Sequence, residues 1–116
     1  MRHRNKNKIL GRKTAPRTSL YKGLAGSLII HEKIKTTKAK AKAVKPYIER
    51  LITKAKEDTL VSRRYLISRL HEKNAVEKAL KVIGPRYKER AGGYLRIINM
   101  GRRQGDGAEV VQLELV

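Results

Sequence analysis

The hydrophobic period of this chain changes once, and that change fixes the class of fold open to it. Up to Ile83 the apolar side chains recur mostly at three- and four-residue spacing, whereas from Leu95 to Leu115 they recur at every second position. The first period belongs to helices buried along one stripe and the second to strands buried on one face. A run of helices followed by a strand pair predicts an α+β domain, with about four helices and a small antiparallel sheet that includes a C-terminal hairpin.

Leu20, Leu24 and Leu28, with Tyr21, Ala25 and Ile29 beside them, predict a first helix from Thr18. Lys33 to Thr37 is β-prone and reads as a strand or extended link that can join the sheet. Thr37 is placed to cap a second helix running to about Lys56, with Ala41, Val44, Ile48, Leu51, Ile52 and Ala55 on its buried face. Pro46 lies inside that span and predicts either a bend or the true helix start. Asp58 or Thr59 caps a third helix holding Leu66, Ile67 and Leu70. Asn74 with Glu77 predicts a capping box for a fourth, which carries Val76, Ala79, Leu80 and Ile83 and is stopped by Gly84-Pro85. Leu95 and Ile97 face Val111, Leu113 and Leu115 across a loop, Gly101-Arg-Arg-Gln-Gly-Asp-Gly-Ala108.

The core must be built from Leu, Ile, Val, Ala and a few Tyr, because Phe and Trp are absent. At 116 residues that suffices for one domain. The absence of Cys excludes disulfides, thiolate zinc sites and thiol nucleophiles. The longest uncharged run, Gly23 to His31, falls short of the roughly 20 residues a membrane helix needs. These features predict a cytoplasmic protein.

Residues 1–17 are nearly devoid of apolar side chains and cannot bury enough surface to fold alone. They are expected to form a basic extended arm, with residues 18–116 as the single folded domain. Arg2, Arg4, Lys6, Lys8, Arg12, Lys13, Arg17 and Lys22 all precede the first carboxylate, Glu32. Over the whole chain 29 Lys and Arg face 10 Asp and Glu, a net charge of +19. Such self-repulsion is relieved by a polyanion, most commonly nucleic acid. The candidate phosphate-binding residues are those of the arm, with His3 between two arginines, together with Lys35, Lys38, Arg63, Arg64, Arg86, Arg90, Arg96, Arg102 and Arg103. Arginine suits this role because its guanidinium presents paired donors to phosphate oxygens. Tyr94 follows Ala91-Gly-Gly93 and is read equally as core packing or as a base-stacking surface.

Catalytic patterns are weak. His31-Glu32 and His71-Glu72 lack the second histidine of a metalloprotease helix, so no catalytic residue, metal site or cofactor is expected. The glycine-rich loop joins two strands, so Asp106 reads as a turn residue and not as part of a nucleotide cradle. A small metal-dependent nuclease using Glu32 and Asp106 lacks the paired acids such chemistry needs.

The wording of the sequence goes further than its physics. Met1-Arg-His-Arg4, Leu20-Tyr-Lys-Gly-Leu-Ala-Gly-Ser-Leu28, His31-Glu-Lys-Ile-Lys-Thr-Thr37 and Lys38-Ala-Lys-Ala-Lys42 resemble the bacterial large-subunit ribosomal protein seventeen family. So do Glu49-Arg-Leu-Ile-Thr-Lys-Ala-Lys56, Arg63-Arg64, the segment from Gly84-Pro-Arg-Tyr87 to Ile97, and the loop Gly101 to Ala108, in order and across essentially the whole chain. The resemblance implies a non-catalytic structural constituent of the large ribosomal subunit, bound to large-subunit ribosomal RNA near the nascent-chain exit. It implies neighbouring ribosomal proteins as partners, with no small-molecule substrate, no membrane and no obligate homo-oligomer. The alternative is a DNA-binding regulator using Asp58 to Gly84 as a helix-turn-helix, which the spread of charge over the chain disfavours.

Overall fold

The computed structural model describes residues 10–116, so Arg2, His3, Arg4, Lys6 and Lys8 of the expected arm lie outside the described residues. Among the described residues the chain forms α1 (Thr14–His31), β1 (Lys33–Thr37), α2 (Lys38–Ala55), α3 (Leu60–Arg69), α4, β2 (Leu95–Arg102) and β3 (Glu109–Leu115). Element α4 spans residues 73–86 and changes pitch within that span. Lys73–Lys78 is α-helical, Ala79–Ile83 π-helical and Gly84–Arg86 α-helical again. The α+β architecture is the one the change of period predicts.

Helix α2 buries Ala41, Val44, Ile48, Leu51, Ile52 and Ala55, the full stripe read from its spacing. It begins at Lys38, which rules out Pro46 as its start. Pro46 is exposed, and the proline has no N–H to give to the Lys42 carbonyl one turn back. Thr37 occupies the N-cap position with extended backbone, but its side chain accepts no capping hydrogen bond. Thr59 does cap α3, its hydroxyl accepting from the Ser62 amide at 3.2 Å.

Three local expectations are corrected. Helix α1 begins at Thr14 and not at Thr18, because Pro16 falls in the first turn, where amide donors have no helical partner to lose. The capping box is absent: Glu72 is the N-cap of α4 without a side-chain bond, and Glu77 is drawn away by Arg63 and Lys81. Gly84-Pro85 does not stop α4, which continues to Arg86. The widened π turn precedes Pro85 and accommodates a ring that would crowd an ordinary α turn.

The sheet order is β1-β3-β2, antiparallel throughout, so the extended segment after α1 does join the C-terminal hairpin. Register places Ile34, Leu113 and Ile97 in one row facing the core, and Lys35, Gln112 and Ile98 in the adjacent row on the other face. Strand β2 runs through Arg102, beyond the expected Gly101 loop start, by means of a bulge between Asn99 and Gly101. Gly101 takes φ +103°, which a side chain would oppose. Between sheet and helices lies a core of Leu28, Ile29, Ile48, Leu51, Ile52, Leu66, Ile83, Tyr94 and Leu113, with α2 central to it.

Candidate nucleic-acid interface

The carboxylates explain how the cations are arranged. Five of the ten acids, Glu32, Glu77, Asp106, Glu109 and Glu114, form ion pairs that join elements or brace the hairpin. Glu32 ends α1 in a left-handed conformation (φ 67°), and its carboxylate accepts from Arg86 of α4 at 2.6 Å with Lys78 at 3.5 Å. The Arg86 hydrogen bond holds the Glu32 carboxyl below the ordinary range against the opposing effect of burial. Glu77 pairs with Arg63 of α3 and with Lys81, and the Arg63 hydrogen bond is the main reason its pKa falls from 4.5 to about 2. On the sheet, Glu114 accepts from Arg96 at 2.6 Å and from Gln112 at 3.0 Å, with its pKa lowered chiefly by Arg96.

The expected arginine pairs therefore divide. Arg63 is tied to Glu77 while its neighbour Arg64 is exposed with no ion pair among the described residues. Arg86 is tied to Glu32, and Arg90 donates to the Gly93 carbonyl at 3.2 Å. Tyr87 between them is buried, its hydroxyl donating to the Val116 carbonyl at 2.7 Å. In the hairpin loop Arg103 is held by Asp106, whose carboxylate also accepts from the Ala108 amide at 3.1 Å, as a turn residue does. Those bonds lower the Asp106 pKa from 3.8 to about 2, Arg103 being the larger cause. Arg102 donates to the Gly107 carbonyl at 3.1 Å and reaches Glu109 at 3.6 Å. A pair of this exposed kind is weak because solvent screens it, so a guanidinium can still turn a second edge to a phosphate.

The remaining candidates are distributed over three surfaces. Arg12 donates to the Leu10 carbonyl at 2.8 Å, Lys13 is the N-cap of α1, and Arg17 and Lys22 follow on that helix. Lys35 stands on the outer face of β1, in the row of Gln112 and Ile98, beside the row of Lys33, Glu114 and Arg96. Lys38 opens α2 and reaches Glu109 at 3.5 Å. The first turns of the four helices carry no acidic side chain, although Glu72 stands at the N-cap of α4 and Asp58 just ahead of the N-cap of α3.

One basic feature is missing from the residue-by-residue reading. Arg50 and Lys54 lie one turn apart on the outer face of α2 and border a cleft of about 470 Å³ with Glu49, Tyr65, Gly92 and Tyr94. The helical spacing of Arg50 and Lys54, opposite the apolar stripe, was the signal available. Tyr94 forms the buried floor, its hydroxyl accepting from Lys56 at 3.1 Å and lying 3.2 Å from that of Thr53. Of the two readings open for Tyr94, core packing is the one realised. Among the described residues no group of three or more His, Cys, Asp or Glu is placed to hold a metal, and no helix is long and apolar enough to cross a membrane.

Comparison with known proteins adds the decisive constraint. The sequence profile of the family described as "Ribosomal protein L17" matches residues 20–116. A relative from Chloroflexus aggregans is 50% identical over 116 residues, covering all of both chains, and one from Thermomicrobium roseum is 47% identical over all of this chain and 99% of its own. A third, from Rickettsia bellii, is 46% identical over this whole chain and 82% of its own. Each of the three is described as "Large ribosomal subunit protein bL17".

Proposed function

Because the chain belongs to the ribosomal protein L17 family of the large ribosomal subunit, we propose that it binds large-subunit ribosomal RNA and acts there as a structural constituent. This family is structural, and the chain is not an enzyme. The observation that carries RNA binding is the way charge is allotted. Half of the acids are spent bracing the fold, and most of the 29 basic side chains have no carboxylate partner among the described residues. The RNA-facing set comprises Arg12, Lys13, Arg17, Lys22, Lys35, Lys38, Arg64, Arg102 and Arg103, with Arg63, Arg86, Arg90 and Arg96 positioned by their internal partners. Arg2, His3, Arg4, Lys6 and Lys8 extend that set from the arm expected over residues 1–17, whose last four residues belong to α1 of the single folded domain.

Contacts of this number make affinity steeply salt-dependent. With on the order of ten phosphates neutralised, log K against log salt falls with a slope near −0.7 to −0.9 per contact. Filter binding of the full chain to a large-subunit RNA transcript over a salt series measures it, and a slope near −2 would contradict the many-contact reading. The family resemblance supports the further reading that the protein lies near the nascent-chain exit beside neighbouring ribosomal proteins, without an obligate second copy of itself. Cross-links from stalled nascent chains in purified large subunits test the placement, and their absence from this protein would remove it. The helix-turn-helix alternative is not favoured, given the family to which the chain belongs.

A further inference from the structure

The cleft between α2, α3 and the loop before β2 has a composition that the phosphate contacts do not explain. Its volume of about 470 Å³ lies within the roughly 300–1,000 Å³ of small-ligand sites. Tyr65 forms one wall, half-buried, with the Lys54 ammonium 5.8 Å and the Arg69 guanidinium 5.1 Å from its ring centroid. Arg50 stands on the rim, exposed and without an ion pair among the described residues. On the opposite side Gly92 presents bare backbone, and a Cβ there would meet nothing within 4 Å. Glu49 is the cleft's one carboxylate, and its Oε1 accepts from the Leu95 amide at 3.4 Å, leaving the carboxylate further acceptor capacity. The floor is fixed, since Lys56 and Thr53 hold the Tyr94 hydroxyl.

We infer that this cleft seats one unpaired nucleotide of the RNA, its base against the Tyr65 ring and its phosphate at Arg50 and Lys54. The inference rests on the RNA-binding reading and gives it a specific point of contact. An aromatic wall bordered by cations matches the two halves of a nucleotide, a π-face and an anion. Glu49 adds a preference: as an acceptor it favours a base with an exocyclic amine, such as cytosine, adenine or guanine, over uracil. When the base stacks, the Lys54 ammonium gives up its place over the ring and turns to the phosphate.

The test uses the full chain and a large-subunit RNA transcript. Tyr65→Leu keeps the apolar contact with the core but removes the ring, and it should weaken binding on the order of tenfold with an unchanged salt slope. Tyr65→Phe should bind within about twofold of the parent, since stacking needs the ring and not the hydroxyl. Arg50→Ala should instead flatten the salt slope by about one contact, roughly 0.7–0.9. Ultraviolet cross-linking of the unaltered chain, read by mass spectrometry, should attach a nucleotide to the peptide containing Tyr65 and needs no variant to fold. If Tyr65→Leu binds as the parent does while the parent keeps its steep salt dependence, the cleft assignment is wrong and RNA binding stands. A parent chain that fails to bind the transcript overturns both. A cross-link from the Tyr65 peptide to a neighbouring protein in large subunits replaces the nucleotide by a peptide and overturns the assignment.

Discussion

Gly84 shows how much a single position can depend on a neighbour that the local sequence does not reveal. A Cβ built there would lie 2.4 Å from the Ala55 carbonyl oxygen and 3.0 Å from its carbon, so the end of α2 packs directly on the α4 backbone. A backbone carbonyl cannot swing aside as a side chain can. Gly84→Ala should therefore destabilise the fold by about 1–3 kcal/mol, the usual cost of overpacking, and lower Tm by several degrees. Gly23 makes the natural contrast, because it lies exposed in α1 where a Cβ meets nothing within 4 Å. Gly23→Ala should raise stability by about 0.5–1 kcal/mol through reduced chain entropy. Thermal melting of the two variants should move in opposite directions, and a Gly84→Ala protein as stable as the parent would mean that α2 and α4 are not so closely apposed. The sequence marked Gly84-Pro85 as punctuation, which is what a glycine and a proline signal locally. That the glycine serves close approach between two helices depends on Ala55, 29 positions away in the chain, and no local pattern encodes it.

At the scale of elements, legibility followed the strength of the hydrophobic period. The stripe of α2 could be read completely because burial on one face of an 18-residue helix leaves a repeated mark. The pairing of Lys33–Thr37 with the hairpin was legible only as an option, since alternation specifies a strand and not its partner. Caps were the least secure, and Glu77 shows why. Its carboxylate was expected to reach back to the start of its own helix, but Arg63 of α3 offers a charged donor that a neutral amide does not match. Glu77 consequently joins α3 to α4, and its pKa of about 2 against an ordinary 4.5 makes that joint pH-sensitive. The folded protein keeps this carboxyl ionised at pH values where the unfolded chain has already taken up a proton. Its contribution is thus complete above about pH 4.5 and is lost as pH falls towards 2, with Asp106 adding in the same direction from 3.8 to about 2. Tm should drop across that window, and Glu77→Gln should shallow the drop. A variant whose Tm declines as steeply as the parent's between pH 4.5 and 2 would show that the α3–α4 pair does not carry this dependence.

For the whole molecule the governing quantity is a net charge of +19, visible in the sequence before any element is assigned. What the sequence does not display is how the ten acids are placed, because their partners are remote: Glu32 and Arg86 are 54 positions apart, and Arg96 and Glu114 are 18. The fold draws half of its ten negative charges into ion pairs, most of them at 2.6–3.6 Å, and leaves the excess positive charge spread over its surface. Salt acts differently on these two populations. Repulsion between cations more than a Debye length apart is screened strongly, the length being about 10 Å at 0.1 M, whereas pairs in contact are screened less. Added salt therefore removes more repulsion than attraction, and the free protein should become more stable as NaCl rises from about 0.02 to 0.3 M. Over the same range its affinity for RNA should fall, since the counterions that binding releases are already abundant in solution. The two trends have one cause and opposite signs, so melting and filter binding on one preparation form a paired test. Sodium chloride is the appropriate salt, because sulfate would stabilise the fold through exclusion from its surface whatever the charge. A Tm that falls steadily with NaCl would mean that the internal pairs outweigh the surplus. The surface charge would then not be the strain that RNA binding relieves.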